Sequence, residues 1–129
     1  MSEYIYAICP LGPDGKPTSP AKIGITRSIG GRLGTLQTGH WLKLHMICSF
    51  EIPSRDMARA LESDVHESIK EFRISGEWFN ITPLDAFETL TNWVHSYLYD
   101  DQSALARSGA LEADEVLRAV YDGRCDNAH

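Results

Sequence analysis

The stretch 22–40, KIGITRSIGGRLGTLQTGH, constrains the fold most, because its hydrophobic period changes within a few residues. At its start, Ile23 and Ile25 alternate with polar or small residues, which is the pattern of a β-strand. Further along, isoleucine and leucine recur at the spacing of one helical stripe, which predicts a short helix over about 28–38. We therefore expect a strand, a glycine-rich turn and a helix in direct succession.

This stretch lies in a basic window of an acidic chain, whose net charge is −6. No Asp or Glu occurs between Asp14 and Glu51. The window contains five basic residues: Lys16, Lys22, Arg27, Arg32 and Lys43. A positive segment in an acidic protein favours binding of an anion there. The acidic balance of the whole chain argues against unspecific nucleic-acid binding, because affinity for phosphate backbones depends largely on Lys and Arg.

Length and composition favour one domain with a single core, since the chain has 129 residues and 43% of them are hydrophobic. No apolar run approaches membrane-spanning length, and the start MSEYIYAICP lacks the basic region of a signal peptide. The three cysteines, Cys9, Cys48 and Cys125, form no CxxC motif. These features predict a cytoplasmic, reduced protein without a zinc ribbon.

The hydrophobic pattern predicts a small antiparallel sheet. Three segments alternate as strands do: 3–9, 21–26 and 42–52. The first two are joined by the proline-rich loop 10–20, so that a hairpin is the simplest connection and Tyr6 and Lys22 would share a face. The sequence therefore predicts an α+β, layered fold with a three-stranded antiparallel sheet flanked by helices.

Two core helices are predicted after the third strand, over about 55–72 and 83–98, with Ser54 and Thr82 as N-caps. The segment between them, GEWFNI, is too apolar for a free loop. Residues 1–99 are interpreted as the main domain and residues 100–129 as a helical appendage, with a short amphipathic helix over 111–121. This appendage packs on the domain, pairs with a second copy or extends into solvent, and the sequence leaves these arrangements open.

Several short motifs occur in a characteristic order: YIY at 4–6, KIG at 22–24, then Arg32, Glu62 and Asn80. This order resembles the GIY-YIG nuclease family. The resemblance covers residues 3–95 and is closest to a short phage- and bacteria-associated subgroup with KIGIT, RL, LQTG, LE, VH and GEWF motifs. The first motif of the family normally begins with Gly and the second with Tyr. In this chain Tyr4 and Lys22 stand at those places, and some restriction-enzyme branches also carry Lys there.

The resemblance implies a metal-dependent endonuclease that hydrolyses DNA phosphodiester bonds with Mg²⁺ or Mn²⁺, RNA not being excluded as a partner. Tyr6 would be the general base, with Lys22 supplying the positive charge that favours a phenolate. Arg32 would stabilise the transition state, and Glu62 would be the protein ligand of the metal. Supporting roles are implied for three further residues: His40, His66 and Asn80.

Each of these residues also has an ordinary structural explanation. Tyr6 is a common strand residue, Arg32 can lie along the flank of a helix, and Glu62 with His66 can form a solvated helix face. Two other classes of function are therefore kept. One is a nucleic-acid-binding module that retains the fold without catalysis. The other is a protein-interaction module in which the helix 111–121 pairs two copies as a homodimer or recruits a partner.

Overall fold

The computed structural model describes residues 3–40 and 42–127, with side chains described as far as Tyr121. The strands are β1 Glu3–Pro10, β2 Ala21–Thr26, β3 Leu44–Ile52, β4 Arg73–Ser75 and β5 Trp78–Phe79. The helices are α1 Ile29–Thr38, α2 Arg55–Ser68, α3 Pro83–Leu98, α4 Gln102–Ser108 and α5 Ala110–Asn127, and a 3₁₀ turn spans Lys70–Phe72. Cys125 lies beyond the described side chains.

The strands form one antiparallel sheet in the order β3-β1-β2-β5-β4. The predicted α+β class is confirmed, and the three predicted strands are adjacent in this sheet. The predicted number of strands was wrong, because the sheet has five. Phe79 pairs with Ala21 and Trp78 with Lys22, so the apolar GEWF segment extends the sheet. A strand of two residues is too short to show an alternating pattern.

The interior strand β1, which lies between β3 and β2, has both faces covered, and this sets the layers of the fold. On one face, Ile5 and Ala7 join the main core together with residues of α2 and α3. On the other face, Tyr6 and Ile8 form a second buried cluster, against which residues of α1 pack. Ile8 lies opposite Lys22 in the pairing of β1 with β2, so that Tyr6 and Lys22 are on the same face, as predicted.

The helices begin at the residues that cap them. The hydroxyl groups of Ser28, Ser54 and Thr82 each accept a hydrogen bond from a backbone N–H of the first turn. The helix predicted over 55–72 is shorter in the structure. Helix α2 ends at Ser68, and the 3₁₀ turn Lys70–Phe72 follows it. These caps fix where α1 and α2 start relative to the sheet.

Helices α4 and α5 pack on the rest of the fold. The side chains of Ala104, Leu105 and Ala110 are buried in the same core as those of α3. The sequence left open whether residues 100–129 pack on the domain, pair with a second copy or extend into solvent. For the described side chains of α4 and α5, the structure shows that they pack on the domain. The division of the chain at residue 99 and the pairing of two copies stay predictions.

Candidate active site

A tyrosine and an arginine from two elements meet on the α1 side of the sheet. The side chain of Tyr6, in the middle of β1, is fully buried, and its Oη accepts a hydrogen bond of 3.0 Å from Arg32 Nε. Arg32 lies in the first turn of α1, which Ser28 caps. The cap and the strand register together bring the guanidinium to the phenol.

Glycine is required opposite this tyrosine. Gly24 is the strand partner of Tyr6. A Cβ atom at Gly24 would lie 2.7 Å from Tyr6 Oη and 2.9 Å from Glu77 Oε2. Carbon atoms do not approach oxygen so closely without displacing it. The last residue of the KIG motif therefore has a steric role, since it leaves room for a phenol and a carboxylate side by side.

Lys22 pairs with a carboxylate that the sequence analysis did not single out. Its Nζ lies 3.1 Å from Glu77 Oε2 and 5.7 Å from the ring centroid of Trp78. The expectation that Lys22 provides the cation next to Tyr6 differs from the structure, in which the cation bonded to the phenol is Arg32. Glu77 directly precedes β5, so its position depends on a long-range strand pairing. The only sequence feature that could have pointed to Glu77 is its position as a lone acidic residue within the apolar GEWF segment.

Glu62, on α2, is a carboxyl group whose surroundings disfavour its ionised form. Burial, and then the negative charge of Glu77 and a hydrogen bond with it, raise its pKa from 4.5 to about 7. The charge of Lys22 offsets only part of this rise in pKa. The Oε2 atom of Glu62 is buried and has no hydrogen-bond partner among the described residues. An unpartnered buried carboxylate oxygen is unusual and is accounted for if a cation binds there.

The phenol of Tyr6 responds to the same charges. Burial raises its pKa above 10, and the hydrogen bond and charge of Arg32 counteract only part of the rise. The negative charges of Glu77 and Glu62 raise this pKa further. In the free chain Tyr6 therefore carries its proton at neutral pH.

Two histidines border this cluster. His66, one turn after Glu62, forms a 2.9 Å hydrogen bond between its Nε2 and the backbone oxygen of Ile23. His40 follows α1; its Nδ1 accepts a hydrogen bond from the backbone of Leu42, and its ring centroid lies 5.7 Å from that of Trp78. Both rings are held by backbone contacts at the edge of the site.

Asn80 lies apart from these residues. Its side chain is exposed, and its backbone N–H donates to the oxygen of Phe72. It lines a separate cavity of about 400 Å³ beside the start of α3, together with Phe72 and Asp85. The structure therefore brings together Tyr6, Lys22, Arg32 and Glu62 with the additional Glu77, but it does not bring Asn80 to them.

Residues 3–95 match the T5orf172 domain. The chain belongs to this family. T5orf172 is a phage-associated domain of the GIY-YIG-like, nuclease-related group, so that membership is compatible with a nuclease-like role and with DNA binding. No curated protein and no solved structure matches the chain. Within the described part of the chain, no helix combines the length and the apolar composition needed to cross a bilayer.

The acidic residues of this T5orf172 domain fit a cation that needs few protein ligands. Among the described residues, no group of three or more His, Cys, Asp or Glu side chains converges as a metal site. The unpartnered oxygen of Glu62 and the neighbouring carboxylate of Glu77 are hard donors, which Mg²⁺ and Mn²⁺ accept together with water. Zinc would instead favour more nitrogen or sulfur ligands.

Proposed function

We propose that this T5orf172 domain is a metal-dependent endonuclease that hydrolyses phosphodiester bonds of DNA. The observation that carries the proposal is the 3.0 Å contact between Arg32 Nε and Tyr6 Oη, close enough to Glu62 for its charge to act on both groups. A phenol, a guanidinium and a carboxylate from β1, α1 and α2 are thereby proposed to act in one site. These are the groups that phosphodiester hydrolysis needs for proton transfer, charge stabilisation and cation binding.

Arg32 is the residue proposed to bind the phosphoryl oxygens. A guanidinium has five N–H donors, and Arg32 uses its Nε for the bond to Tyr6. Its terminal amino groups can therefore donate to a phosphate. Because the bond to the phenol fixes the plane of the guanidinium, these donors need little reorganisation as negative charge develops.

Tyr6 is proposed to accept the proton of the attacking water at its Oη. Since burial keeps the phenol protonated in the free chain, this role requires that its own proton leave first. Arg32 donates to the same oxygen and favours the phenolate. The carboxylate of Glu77, which flanks Gly24 together with Tyr6 Oη, is a neighbouring acceptor for the phenol proton.

Glu62 is proposed to hold Mg²⁺ or Mn²⁺ through its unpartnered oxygen, with Glu77 nearby. When bound, the cation would supply positive charge to the phosphoryl and leaving oxygens. Glu77 keeps Lys22 within 3.1 Å, so that one ammonium group lies at the edge of this pair of carboxylates. His40 and His66 are proposed to support the site from its border.

A second candidate function is nucleic-acid binding without hydrolysis. It is favoured by the complete burial of Tyr6 and the raised pKa of its phenol, because a protonated buried phenol is a poor base. The guanidinium of Arg32 would still bind a phosphate in such a module.

Cleavage of supercoiled plasmid in Mg²⁺ or Mn²⁺ tests the proposal. Tyr6→Phe and Glu62→Gln are each expected to lower the rate by at least about 100-fold. Tyr6 is the proposed proton acceptor, a role that contributes roughly 10²- to 10⁴-fold. Glu62 is the proposed ligand of the cation that would stabilise the transition state. Tyr99→Phe and Glu67→Gln are matched controls at exposed side chains and should cleave at the wild-type rate. Equal rates for wild type and Glu62→Gln would contradict the assignment, and DNA binding without cleavage in either metal would select the second candidate.

A further inference from the structure

Three arginines line one open pocket beside the candidate active site. The pocket has a volume of about 530 Å³. Its lining consists of Ile25, Thr26, Arg27, Arg32 and Arg55. None of the described residues that line it is acidic. Arg32 is common to both, because it lines the pocket and also donates a hydrogen bond to Tyr6.

Two of the three guanidinium groups are held by one buried carboxylate. Arg27 Nε lies 2.8 Å and Arg55 Nη1 2.9 Å from the same oxygen, Glu3 Oε1. Glu3 is only 1% exposed. Burial acts to raise its pKa, but the hydrogen bonds and charges of Arg27 and Arg55 outweigh this and hold the pKa below its ordinary value. Glu3 is therefore ionised and anchors both arginines.

This anchoring leaves most of the donors free. Arg27 uses its Nε for Glu3, and Arg55 uses one terminal nitrogen. Neither arginine forms a bidentate pair with Glu3, whose second oxygen has no hydrogen-bond partner in the part of the chain that the structure describes. The remaining N–H groups of each guanidinium are available to a ligand in the pocket. After one charge is balanced by Glu3, three arginines leave a local excess of positive charge.

We infer that this pocket binds phosphate groups of a nucleic-acid backbone next to the phosphate held by Arg32. Planar guanidinium groups with free donors match phosphate oxygens. The pocket is many times larger than the ~30 Å³ that one water molecule occupies, so it has room for more than one phosphate with its hydration. Arg27 and Arg55 would thereby fix the register of the strand relative to Tyr6. The inference rests on the proposed function only for the position of the phosphate at Arg32.

Binding is measured without cleavage, by fluorescence anisotropy of a labelled DNA duplex in EDTA over a series of salt concentrations. Each phosphate contact contributes about 0.9 to the slope of log K against log salt. Arg27→Ala and Arg55→Ala are each expected to reduce this slope by about 0.9. A fourfold increase in salt then weakens binding of the variant about 3.5-fold less than binding of the wild type.

Arg118→Ala is the matched control, because Arg118 is also an exposed, ion-paired arginine but lies on α5, outside the pocket. Its slope should equal that of the wild type. Thermal unfolding confirms that each variant is folded, and Arg27→Lys separates loss of charge from loss of guanidinium geometry. Wild-type slopes for both Arg27→Ala and Arg55→Ala would overturn the inference, as would a wild type that does not bind the duplex at low salt.

Thermal unfolding with inorganic phosphate distinguishes binding of free phosphate from binding of a nucleic-acid backbone. If millimolar inorganic phosphate raises the melting temperature of the wild type but not of Arg27→Ala, while duplex does not bind, the pocket accepts free phosphate and the backbone proposal fails. The two proposals also fail separately. Reduced slopes without plasmid cleavage would refute the nuclease and support the pocket, whereas cleavage with unchanged slopes would do the reverse.

Discussion

Replacing Glu62 with Gln should stabilise the metal-free protein at neutral to basic pH, although it removes the carboxylate that is proposed to bind the metal. The wild-type carboxyl holds its proton up to about pH 7 in the folded chain, against 4.5 for the ordinary group. Between these values the folded state binds more protons than the unfolded state, so the free energy of unfolding falls as pH rises through this window. Because glutamine cannot ionise, the free energy of unfolding of the variant does not fall with pH in this way.

The expected gain follows from the pKa of Glu62. One unit of pKa corresponds to about 1.4 kcal/mol, so the rise from 4.5 to about 7 corresponds to ~3 kcal/mol. This is a large share of the roughly 5–15 kcal/mol by which domains are stable. The full gain is expected at about pH 8, above the folded pKa, and none at about pH 4, where the carboxyl is neutral in both states.

Urea unfolding in EDTA at these two pH values measures the gain. Glu67→Gln is the control, because Glu67 lies on the same helix with a side chain 69% exposed. Its substitution should change the free energy of unfolding little at either pH. Two results would refute the reasoning: equal stability of Glu62→Gln and wild type at about pH 8, or a gain of the same size at about pH 4, which would indicate packing rather than charge.

Three further substitutions test the packing around the site, each by urea unfolding. Gly24→Ala should lower the free energy of unfolding by ~1–3 kcal/mol, since its Cβ would meet Tyr6 Oη at 2.7 Å, and wild-type stability would mean that the site has room. Glu3→Gln should cost ~1.5–3 kcal/mol at neutral pH and less as pH falls below 4.5, because the lowered pKa stabilises the fold only while the wild-type carboxylate is ionised. Leu105→Ala should cost ~2–5 kcal/mol if α4 belongs to the core, and almost nothing if residues 100–129 fold independently.

The elements that the sequence predicts well are those whose signals are local. The alternation of β1 and the capping residues Ser54 and Thr82 each act within a few residues, and the structure has a strand and two helices where these signals place them. The shared face of Tyr6 and Lys22 also followed, because a hairpin fixes it.

The features that the sequence could not show depend on pairing between distant segments. Glu77 reaches Lys22 because β5 pairs with β2, and two residues carry no periodic signal for that pairing. The cation at Tyr6 is Arg32 because the start of α1 folds over the sheet, which strand patterning cannot reveal. Asn80 follows β5 onto the α3 side and lies outside the cluster. The order of the family motifs thus indicated which residues to consider as site residues, and the tertiary contacts determined which of them are neighbours.

The pairing of β2 with β5 joins residues 21–22 to residues 78–79, and it has a consequence during synthesis. A nascent chain that has emerged only as far as α2 contains the phenol, the guanidinium and the first carboxylate, but not Glu77. The ammonium of Lys22 then lacks its ion-pair partner Glu77, and the edge of the sheet beside it is open. Ribosome-bound fragments are therefore expected to lack the complete cluster of charged side chains until the segment that follows α2 has docked.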